Sequence, residues 1–461
     1  MPNRRISPGP RLDRHDRAPQ TYARTNQPFA QLFVHLAVNV GGPETRPEPA
    51  EEVPRASLSY NEALAWLYGL QRFGIKLGLE NIQRLIQALA IDLAGARVIH
   101  VAGTNGKGSV CAMIDSIARA RGYRTGLFTS PHLISFRERI RIAGQMISDT
   151  DVALGLTKIR ALIEKWEPRP TFFEVATAVA LQHFAANKID ILILETGLGG
   201  RLDATNAVQS NVSVITAIDL DHQKWLGYSI EEIAAEKAGI IKRDTPVICA
   251  PQPFPAEGIV ESRAAELKAP FQLVYERYGP MPIALHGAHQ KQNAALAVAA
   301  LRAARIEIDE SAITRGLLSV EWPARFQRWD HRTIIDGAHN PMAARALADT
   351  WRDTFGGQRT TLVLAILDDK DLRGICEALA PISQHAILPR IRSERAANPQ
   401  ELARILLNLG VPCQIGGTVG EALQKAHARE APILITGSLH FAGEALAHLE
   451  GRPAAFEECA Q

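Results

Sequence analysis

Residues 98–109 have the sequence Val98-Ile-His-Val-Ala-Gly-Thr-Asn-Gly-Lys-Gly-Ser109. The first residues are mostly β-branched, which predicts a short buried strand. Glycines follow at positions 103, 106 and 108, and apolar residues return at helical spacing from Val110 to Arg121. A strand, a glycine-rich loop and a helix are typical of a phosphate-binding loop, because glycines let backbone N–H groups converge on an anion at the positive end of the helix dipole. We therefore predict a nucleotide site here.

The polar residues of this loop suit the same chemistry. Lys107 would place a positive charge on the β- and γ-phosphates, and Ser109 would offer a hydroxyl to Mg²⁺. The loop departs from the general pattern G-x-x-x-x-G-K-[ST], because Gly103 stands one position closer to Lys107 and Gly108 separates Lys107 from Ser109. On local sequence alone, an ordinary strand-to-helix turn with a surface lysine remains an alternative.

The composition excludes several classes of protein. With 461 residues the chain is long enough for two or three domains, and its 46% hydrophobic and 22% charged residues are ordinary for a soluble protein. A net charge of +2 gives no argument for a nucleic-acid or membrane partner. The five cysteines form no C-x-x-C pair, and no apolar run approaches the roughly 20 residues of a membrane span. We expect a cytoplasmic monomer with small-molecule substrates.

Three segments follow from the pattern along the chain. Residues 1–55 are rich in Arg and Pro and contain no Lys, which predicts a disordered extension; a translation start near Val53 or Leu58 is the alternative. Strands then alternate with helices, which predicts a doubly wound, mostly parallel α/β domain over residues 56–321. A second alternating set follows Trp322–Pro323 and predicts a smaller, Rossmann-like α/β domain over residues 322–461, with no phosphate loop of its own.

The individual elements are predicted as follows. Beyond the first strand, strands are expected at residues 125–129, 189–194, 212–218, 246–250, 333–335, 362–366, 385–388 and 433–436. Beyond the helix after the glycine loop, helices are expected at residues 60–70, 79–89, 172–186, 230–238, 289–305, 341–355, 372–379 and 399–409.

Polar side chains follow several of the predicted strands. Glu195 comes directly after a buried apolar run, Ser130 follows the strand at 125–129, and Asp219, Asp221 and His222 follow the strand at 212–218. In open α/β sheets, ligands bind beyond the carboxyl ends of the strands, where a carboxylate suits Mg²⁺. Alone, Glu195 could be a helix-capping acid and His222 an ordinary satisfied histidine. Their joint occurrence favours a site.

These residues resemble the Mur ligase superfamily and, within it, folylpolyglutamate synthase and bacterial dihydrofolate synthase. Nine short motifs occur in the family's order, and the resemblance that they carry extends over nearly all of residues 56–440. They are Gly103-Thr-Asn-Gly-Lys-Gly-Ser109, Ser130-Pro-His-Leu133, Glu195-Thr-Gly-Leu-Gly-Gly-Arg-Leu-Asp-Ala-Thr-Asn206, Asp221-His222, Glu236-Lys-Ala-Gly239, His289-Gln-x-x-Asn293, Ala324-Arg-Phe326, Asp336-Gly-Ala-His-Asn-Pro341 and Thr436-Gly-Ser438.

The resemblance implies a role for each matching residue. The catalytic residues would be Lys107, Lys237 and His339. ATP would be held by Thr104, Asn105, Gly106, Lys107, Gly108, Ser109, Asn293, Arg325 and Asp336. Magnesium would be held by Ser109, Ser130, Glu195, His222 and Lys237, with two ions and a carbamylated Lys237 beside one of them. The pteroate substrate would meet Leu202, Asp203 and Ala204, and the incoming glutamate His339 and Ser438. From the sequence alone, Lys237 would belong to the solvated face of a helix.

The resemblance therefore implies an ATP- and Mg²⁺-dependent ligase that adds L-glutamate to dihydropteroate, to a reduced folate or to both. A cell-wall amino-acid ligase would need a further N-terminal domain for its nucleotide-linked substrate. A P-loop ATPase switch would have no use for Lys237 near His222, nor for Asp336-x-x-His339 in a second domain. We expect a hinge at Trp322–Pro323 that lets the second domain close over the first.

Overall fold

Two β-sheets follow one another along the chain. The computed structural model describes residues 57–73, 78–279 and 281–458, so the disorder predicted for residues 1–55 lies outside the described part. All described residues belong to one compact unit, residues 54–461.

The first sheet has eight strands in the order β4-β3-β2-β5-β1-β6-β7-β8. Its strands are β1 (Arg97–Ala102), β2 (Thr125–Phe128), β3 (Ile140–Ile142), β4 (Gln145–Met146), β5 (Ile191–Glu195), β6 (Val212–Ile215), β7 (Val247–Cys249) and β8 (Phe271–Leu273). All neighbouring pairs are parallel except those made by β3, which runs antiparallel to β2 and β4. The mostly parallel sheet is therefore confirmed, with an antiparallel edge.

Helices cover both faces of this sheet. They are α1 (Tyr60–Gly69), α2 (Glu80–Ala88), α3 (Lys107–Arg121), α4 (Asp149–Leu162), α5 (Phe172–Ala186), α6 (Gln223–Leu226), α7 (Ile230–Ala238), α8 (Phe254–Glu266), α9 (Ala288–Ala303) and α10 (Glu310–Ser319). Strand β5 explains the layering. Leu192 and Leu194 pack with α1, α2, α4 and α5, whereas Ile191 and Ile193 pack with α3, α9 and α10. Since alternate side chains of a strand face opposite ways, an unbroken apolar run is what a doubly covered strand requires.

The second sheet has six strands in the order β13-β12-β11-β14-β10-β9. They are β9 (Gln327–Arg328), β10 (Thr333–Ile335), β11 (Thr360–Leu364), β12 (Ser383–Arg390), β13 (Cys413–Thr418) and β14 (Ile433–Thr436). All neighbouring pairs are parallel except β9–β10. Helices α11 (Pro341–Phe355), α12 (Leu372–Leu379) and α13 (Pro399–Asn408) cover one face, and α14 (Val419–His427) and α15 (Leu439–Leu449) cover the other.

One boundary differs from its prediction at the glycine loop. Helix α3 begins at Lys107, three residues before the predicted start at Val110, because Gly106 adopts a left-handed conformation with φ 91° and ends the loop there. Lys107, Gly108 and Ser109 are thus the first turn of the helix rather than part of a loop. Among the described helices, none combines the length and apolar content needed to cross a bilayer.

Candidate active site

The glycine loop lies between the ends of β1 and β6 and the helix α9. A Cβ atom on Gly106 would lie 2.7 Å from Asn293 Oδ1, and one on Gly103 would collide with the Thr216 hydroxyl. Thr104 joins the loop to the end of β6, because its hydroxyl donates to the Asp219 carbonyl (2.9 Å) and accepts from the Asp219 amide (3.0 Å). Only glycine fits at these two positions, as is expected of a loop whose backbone must approach an anion closely.

Two lysines converge on one carbonyl of this loop. Lys107 Nζ donates to Gly103 O at 3.0 Å and to Thr104 O at 3.2 Å, and Lys237 Nζ donates to Gly103 O at 2.8 Å. Lys237 is 4% exposed, so α7 does not present it to solvent as the sequence alone suggested. Burial and the nearby Lys107 ammonium lower the pKa of Lys237 to about 7. Near neutral pH an appreciable fraction of Lys237 is a neutral amine.

A carboxylate and a serine stand together where β5 and β2 end. Glu195 is buried, and its Oε2 accepts a hydrogen bond from the Ser130 amide at 3.1 Å. Burial raises the pKa of Glu195, and the positive charge of Lys107 opposes that rise. The Ser130 hydroxyl is buried and has no hydrogen-bond partner among the described residues. An unpaired hydroxyl beside a buried carboxylate is an oxygen donor set that suits Mg²⁺.

A cavity joins this pair to the first turn of α3 and to residues of the segment that forms the second sheet. Trp322 borders it, with its indole Nε1 2.8 Å from where a Cβ on Gly108 would lie. The cavity wall carries both signs of charge, which suits a charged ligand. Its lining residues are Gly108, Thr129, Ser130, Pro131, Leu133, Glu138, Arg141, Glu195, Trp322, Pro323, Arg325 and Leu439.

Asp221 connects the first sheet to the loops of the second. Its Oδ1 lies 2.6 Å from Lys370 Nζ, and its Oδ2 lies 3.5 Å from His339 Nε2 and accepts from Asn340 Nδ2 at 3.3 Å. Although burial opposes it, the hydrogen bond from His339 and the charges of His339, His222 and Lys370 hold the pKa of Asp221 well below its usual range. Asp221 is therefore ionised, and it anchors the half of the chain that forms the first sheet to the half that forms the second.

Lys370 is the member of this cluster that the sequence analysis missed. Its side chain is 6% exposed and follows the buried strand β11 within Asp368-Asp-Lys-Asp371. A lysine among acids after a buried strand was the available signal. A second contact lies beside it, where the amides of Asn105 and Asn340 exchange hydrogen bonds at 3.0 and 3.3 Å.

The remaining residues predicted to meet ATP lie around the loop and across the cavity. Asn293 Nδ2 donates to Gln290 Oε1 at 2.9 Å, with its oxygen against Gly106. Arg325 lines the cavity. The Asp336 carboxylate accepts from the backbone amides of Phe326 (2.7 Å) and Ala338 (2.8 Å). Asp336 thus organises the segments that carry Arg325 and His339.

The residues predicted to meet the substrates have local partners. Asp203 is buried, and its oxygens accept from the amides of Gly197, Leu198 and Thr205 and from the Thr205 hydroxyl. Burial raises the pKa of Asp203. Leu202 and Ala204 flank it, half-buried and buried. Ser438 Oγ caps α15 by accepting the Phe441 amide at 3.0 Å.

The predicted metal ligands fall into two groups. Ser130 and Glu195 line the cavity together with Gly108, the residue before Ser109. His222 Nε2 lies 3.9 Å from Asp221 Oδ1, and Lys237 contacts the glycine loop through the Gly103 carbonyl. Across the described ranges, no three or more His, Cys, Asp or Glu side chains form a metal-binding group. Such a sparse set still fits Mg²⁺, which keeps waters and phosphate oxygens among its ligands.

Comparisons with known proteins identify the family. The Mur ligase middle domain matches residues 101–250, and the Mur ligase glutamate ligase domain matches residues 324–439. Dihydrofolate synthase/folylpolyglutamate synthase of Bacillus subtilis is 34% identical over 419 residues, which are 83% of this chain and 97% of that protein.

Solved structures agree with this match. A Mycobacterium tuberculosis folylpolyglutamate synthase, complexed with ADP and AMPPCP, superposes with a TM-score of 0.78 at 33% identity over 85% of this chain and 99% of that chain. Escherichia coli FolC, in complex with DHPP and ADP, gives a TM-score of 0.76 at 32% identity over 85% of this chain and 98% of that chain. The chain belongs to the dihydrofolate synthase/folylpolyglutamate synthase family of Mur ligases.

Proposed function

We propose that this protein uses ATP to join L-glutamate to the carboxylate of dihydropteroate, of a reduced folate or of both. The observation that carries the proposal is the cavity that brings Glu195 and Ser130, the first turn of α3 and Arg325 to one place. Family membership supports the same reaction, since relatives are named for these two synthase activities.

The chemistry requires activation, because a carboxylate is a poor acyl donor. A carboxylate oxygen of the acceptor attacks the γ-phosphorus of ATP, and ADP leaves with the bonding electrons. The glutamate amine then attacks the acyl phosphate, loses a proton and expels phosphate. The Lys107 ammonium neutralises charge on the transferring phosphoryl group. The backbone amides in the first turn of α3 bind the neighbouring phosphates of ATP.

We propose that Ser109, Ser130 and Glu195 hold one Mg²⁺, and that His222 and Lys237 belong to a second. Bound there, magnesium would screen the charge of the phosphate oxygens. The buried, unpaired hydroxyl of Ser130 beside the Glu195 carboxylate supports the first of these sites.

We propose that Lys237 is carbamylated. Its pKa of about 7 supports this, because only the neutral amine attacks CO₂. The nitrogen forms a bond to the carbon of CO₂ and releases one proton, which leaves an anion. That anion lies beside Lys107, so attraction replaces the repulsion between two ammonium groups.

Two measurements test the carbamate. The Lys237→Ala variant should lose activity and regain part of it when a short carboxylic acid is added, and protein in ¹³CO₂-enriched buffer should give a carbamate carbon signal that the variant lacks. Absence of both rescue and signal would contradict the modification.

The segment that forms the second sheet would bind the amine substrate. We propose that His339 and Ser438 hold glutamate, that Leu202, Asp203 and Ala204 lie near the pteroate group, and that the domains divide at residues 56–321 and 322–461 with a hinge at Trp322–Pro323. The packing of Trp322 against Gly108 supports this hinge, because a movement at Trp322 would be felt directly at the first turn of α3.

The deciding experiment measures phosphate release from ATP with Mg²⁺ and L-glutamate, with dihydropteroate or tetrahydrofolate as acceptor. Stimulation by dihydropteroate alone indicates a dihydrofolate synthase, by tetrahydrofolate alone a polyglutamylating enzyme, and by both a bifunctional enzyme. ATP hydrolysis that needs neither acceptor nor glutamate would contradict the proposal and favour an ATPase switch.

A further inference from the structure

The end of the chain returns to the loop that follows β2. After α15, a short 3₁₀ helix (Pro453–Ala455) leads to Phe456 and Glu457. The Glu457 amide donates to the Ile134 carbonyl at 2.8 Å, and the Glu457 carbonyl accepts from His132 Nε2 at 3.1 Å. Since His132 Nδ1 accepts from Arg139 Nε at 2.8 Å, its proton lies on Nε2. Main-chain and side-chain bonds thus hold the tail in one register.

The side chain of Glu457 adds three more contacts. Its carboxylate accepts from the Phe136 amide at 2.5 Å, from the Tyr60 hydroxyl at 3.0 Å and from the Ser135 hydroxyl at 3.3 Å. One carboxylate of the tail therefore joins α1 to two consecutive residues of the loop. Hydrogen bonds to an ionised acceptor are stronger than neutral ones, so these contacts add to the main-chain bonds that hold the tail.

The loop held in this way forms one wall of the cavity. Leu133 and Glu138 line the cavity, and the Glu138 carboxylate accepts from the amides of Leu133, Ile134 and Ser135 at 2.8–2.9 Å. On its other side the loop rests directly on α15, since a Cβ on Gly443 would collide with the Leu133 carbonyl. The loop is folded by Glu138 and fixed against its surroundings by Glu457.

We propose that Glu457 is a positioning residue for the acceptor: the C-terminal tail clamps residues 132–138 so that the cavity wall is preformed for the carboxylate-bearing substrate. This inference rests on the proposed function for the identity of that substrate. Glu457 lies outside the cavity lining and acts through Phe136 and Ser135. Because Glu138 still folds the loop, loss of Glu457 loosens the wall rather than unfolding it.

The test compares Glu457→Ala with Glu458→Ala in the full chain, since Glu458 is the exposed neighbour. For Glu457→Ala we expect the KM for dihydropteroate, or for tetrahydrofolate if that is the acceptor used, to rise roughly tenfold. The KM for ATP should stay within about twofold, as should every constant of Glu458→Ala. Glu457→Gln keeps an oxygen that accepts from the Phe136 amide. Its KM for the acceptor substrate should therefore fall between those of the two alanine variants.

Hydrogen exchange supplies a readout that does not depend on activity. Exchange at residues 132–138 should be roughly tenfold faster in Glu457→Ala than in Glu458→Ala, with α3 unchanged. Equal exchange and equal constants in the two variants would overturn the clamp. A parallel rise in both KM values, or faster exchange throughout, would indicate a merely structural role and also overturn it. If the unaltered protein shows no acceptor-dependent turnover, the proposed function fails, and exchange still decides the clamp.

Discussion

Glu195, the last residue of β5, and Asp221, which follows β6, are both buried carboxylates of the first sheet, yet their surroundings are opposite. Glu195 accepts a single hydrogen bond among the described residues, from the Ser130 amide, and burial raises its pKa. Asp221 faces Lys370, His339 and Asn340, and despite its burial its pKa lies well below the usual range. A buried carboxylate with few hydrogen-bond partners can bind a cation. A buried carboxylate whose oxygens are already paired acts instead as an anchor that holds neighbouring segments together.

The largest expected effect is on the side of Glu195, where Lys107 supplies the opposing charge. Lys107→Ala should lower acceptor-dependent phosphate release by on the order of 10³-fold, because charge on the transferring phosphoryl group is no longer neutralised. Activity within about tenfold of the unaltered protein would contradict the site assignment.

Glu195→Gln sharpens the comparison by removing charge while keeping shape. Turnover should fall by about 10²-fold and the Mg²⁺ concentration for half-maximal rate should rise, because an oxygen ligand has lost its charge. The thermal midpoint should not fall, since the variant removes a buried charge with little compensation. An unchanged Mg²⁺ dependence together with a lowered thermal midpoint would show that Glu195 is an anchor like Asp221 rather than a metal ligand.

The Asp221–Lys370 pair should behave in the opposite way. Asp221→Asn removes the nearer counter-charge of the buried Lys370 ammonium, leaving Asp369 Oδ2 at 3.8 Å, and should cost about 3 kcal/mol of stability. Lys370→Met should also destabilise, and the double variant should recover part of the loss, since neither charge is then left alone. Denaturant unfolding of all four proteins measures the coupling, and strictly additive effects would mean that the pair is not an anchor.

The smallest effect is a difference in pH dependence. The depressed pKa of Asp221 gives stability that is fully present above the unfolded value of about 4 and is lost as the pH falls below it, because the unfolded state binds more protons there. The raised pKa of Glu195 acts in reverse, so stability falls as the pH rises from about 4.3 through the folded value. Asp221→Asn and Glu195→Gln should therefore change the slope of unfolding midpoint against pH in opposite directions.

Local patterns predicted the sheets and the glycine loop well, because β5 and the residues around Gly103 and Gly106 carry their own signals. The strand β13 was missed because its residues are mostly polar and half-exposed, as at a sheet edge. The hairpin strands β3 and β4 were too short for any period to register.

The local sequence pattern could not predict the contacts between the two halves. Lys370 lies 149 residues from Asp221 along the chain, and nothing in either segment specifies the other. The burial of Lys237 likewise depends on the packing of α7 against the glycine loop. The pattern of its own helix could not indicate this, so the carbamate predicted for Lys237 came only from the resemblance.

The side chain of Asn340 belongs to two structures at once. Its Oδ1 accepts the Ala343 amide at 2.9 Å and so starts α11, while its Nδ2 donates to Asn105 in the phosphate loop. A shift of that loop by a fraction of an ångström therefore strains the first turn of a helix in the other half. This one amide therefore couples the two segments, so a movement of Asn105 and a movement of the first turn of α11 are not independent of each other.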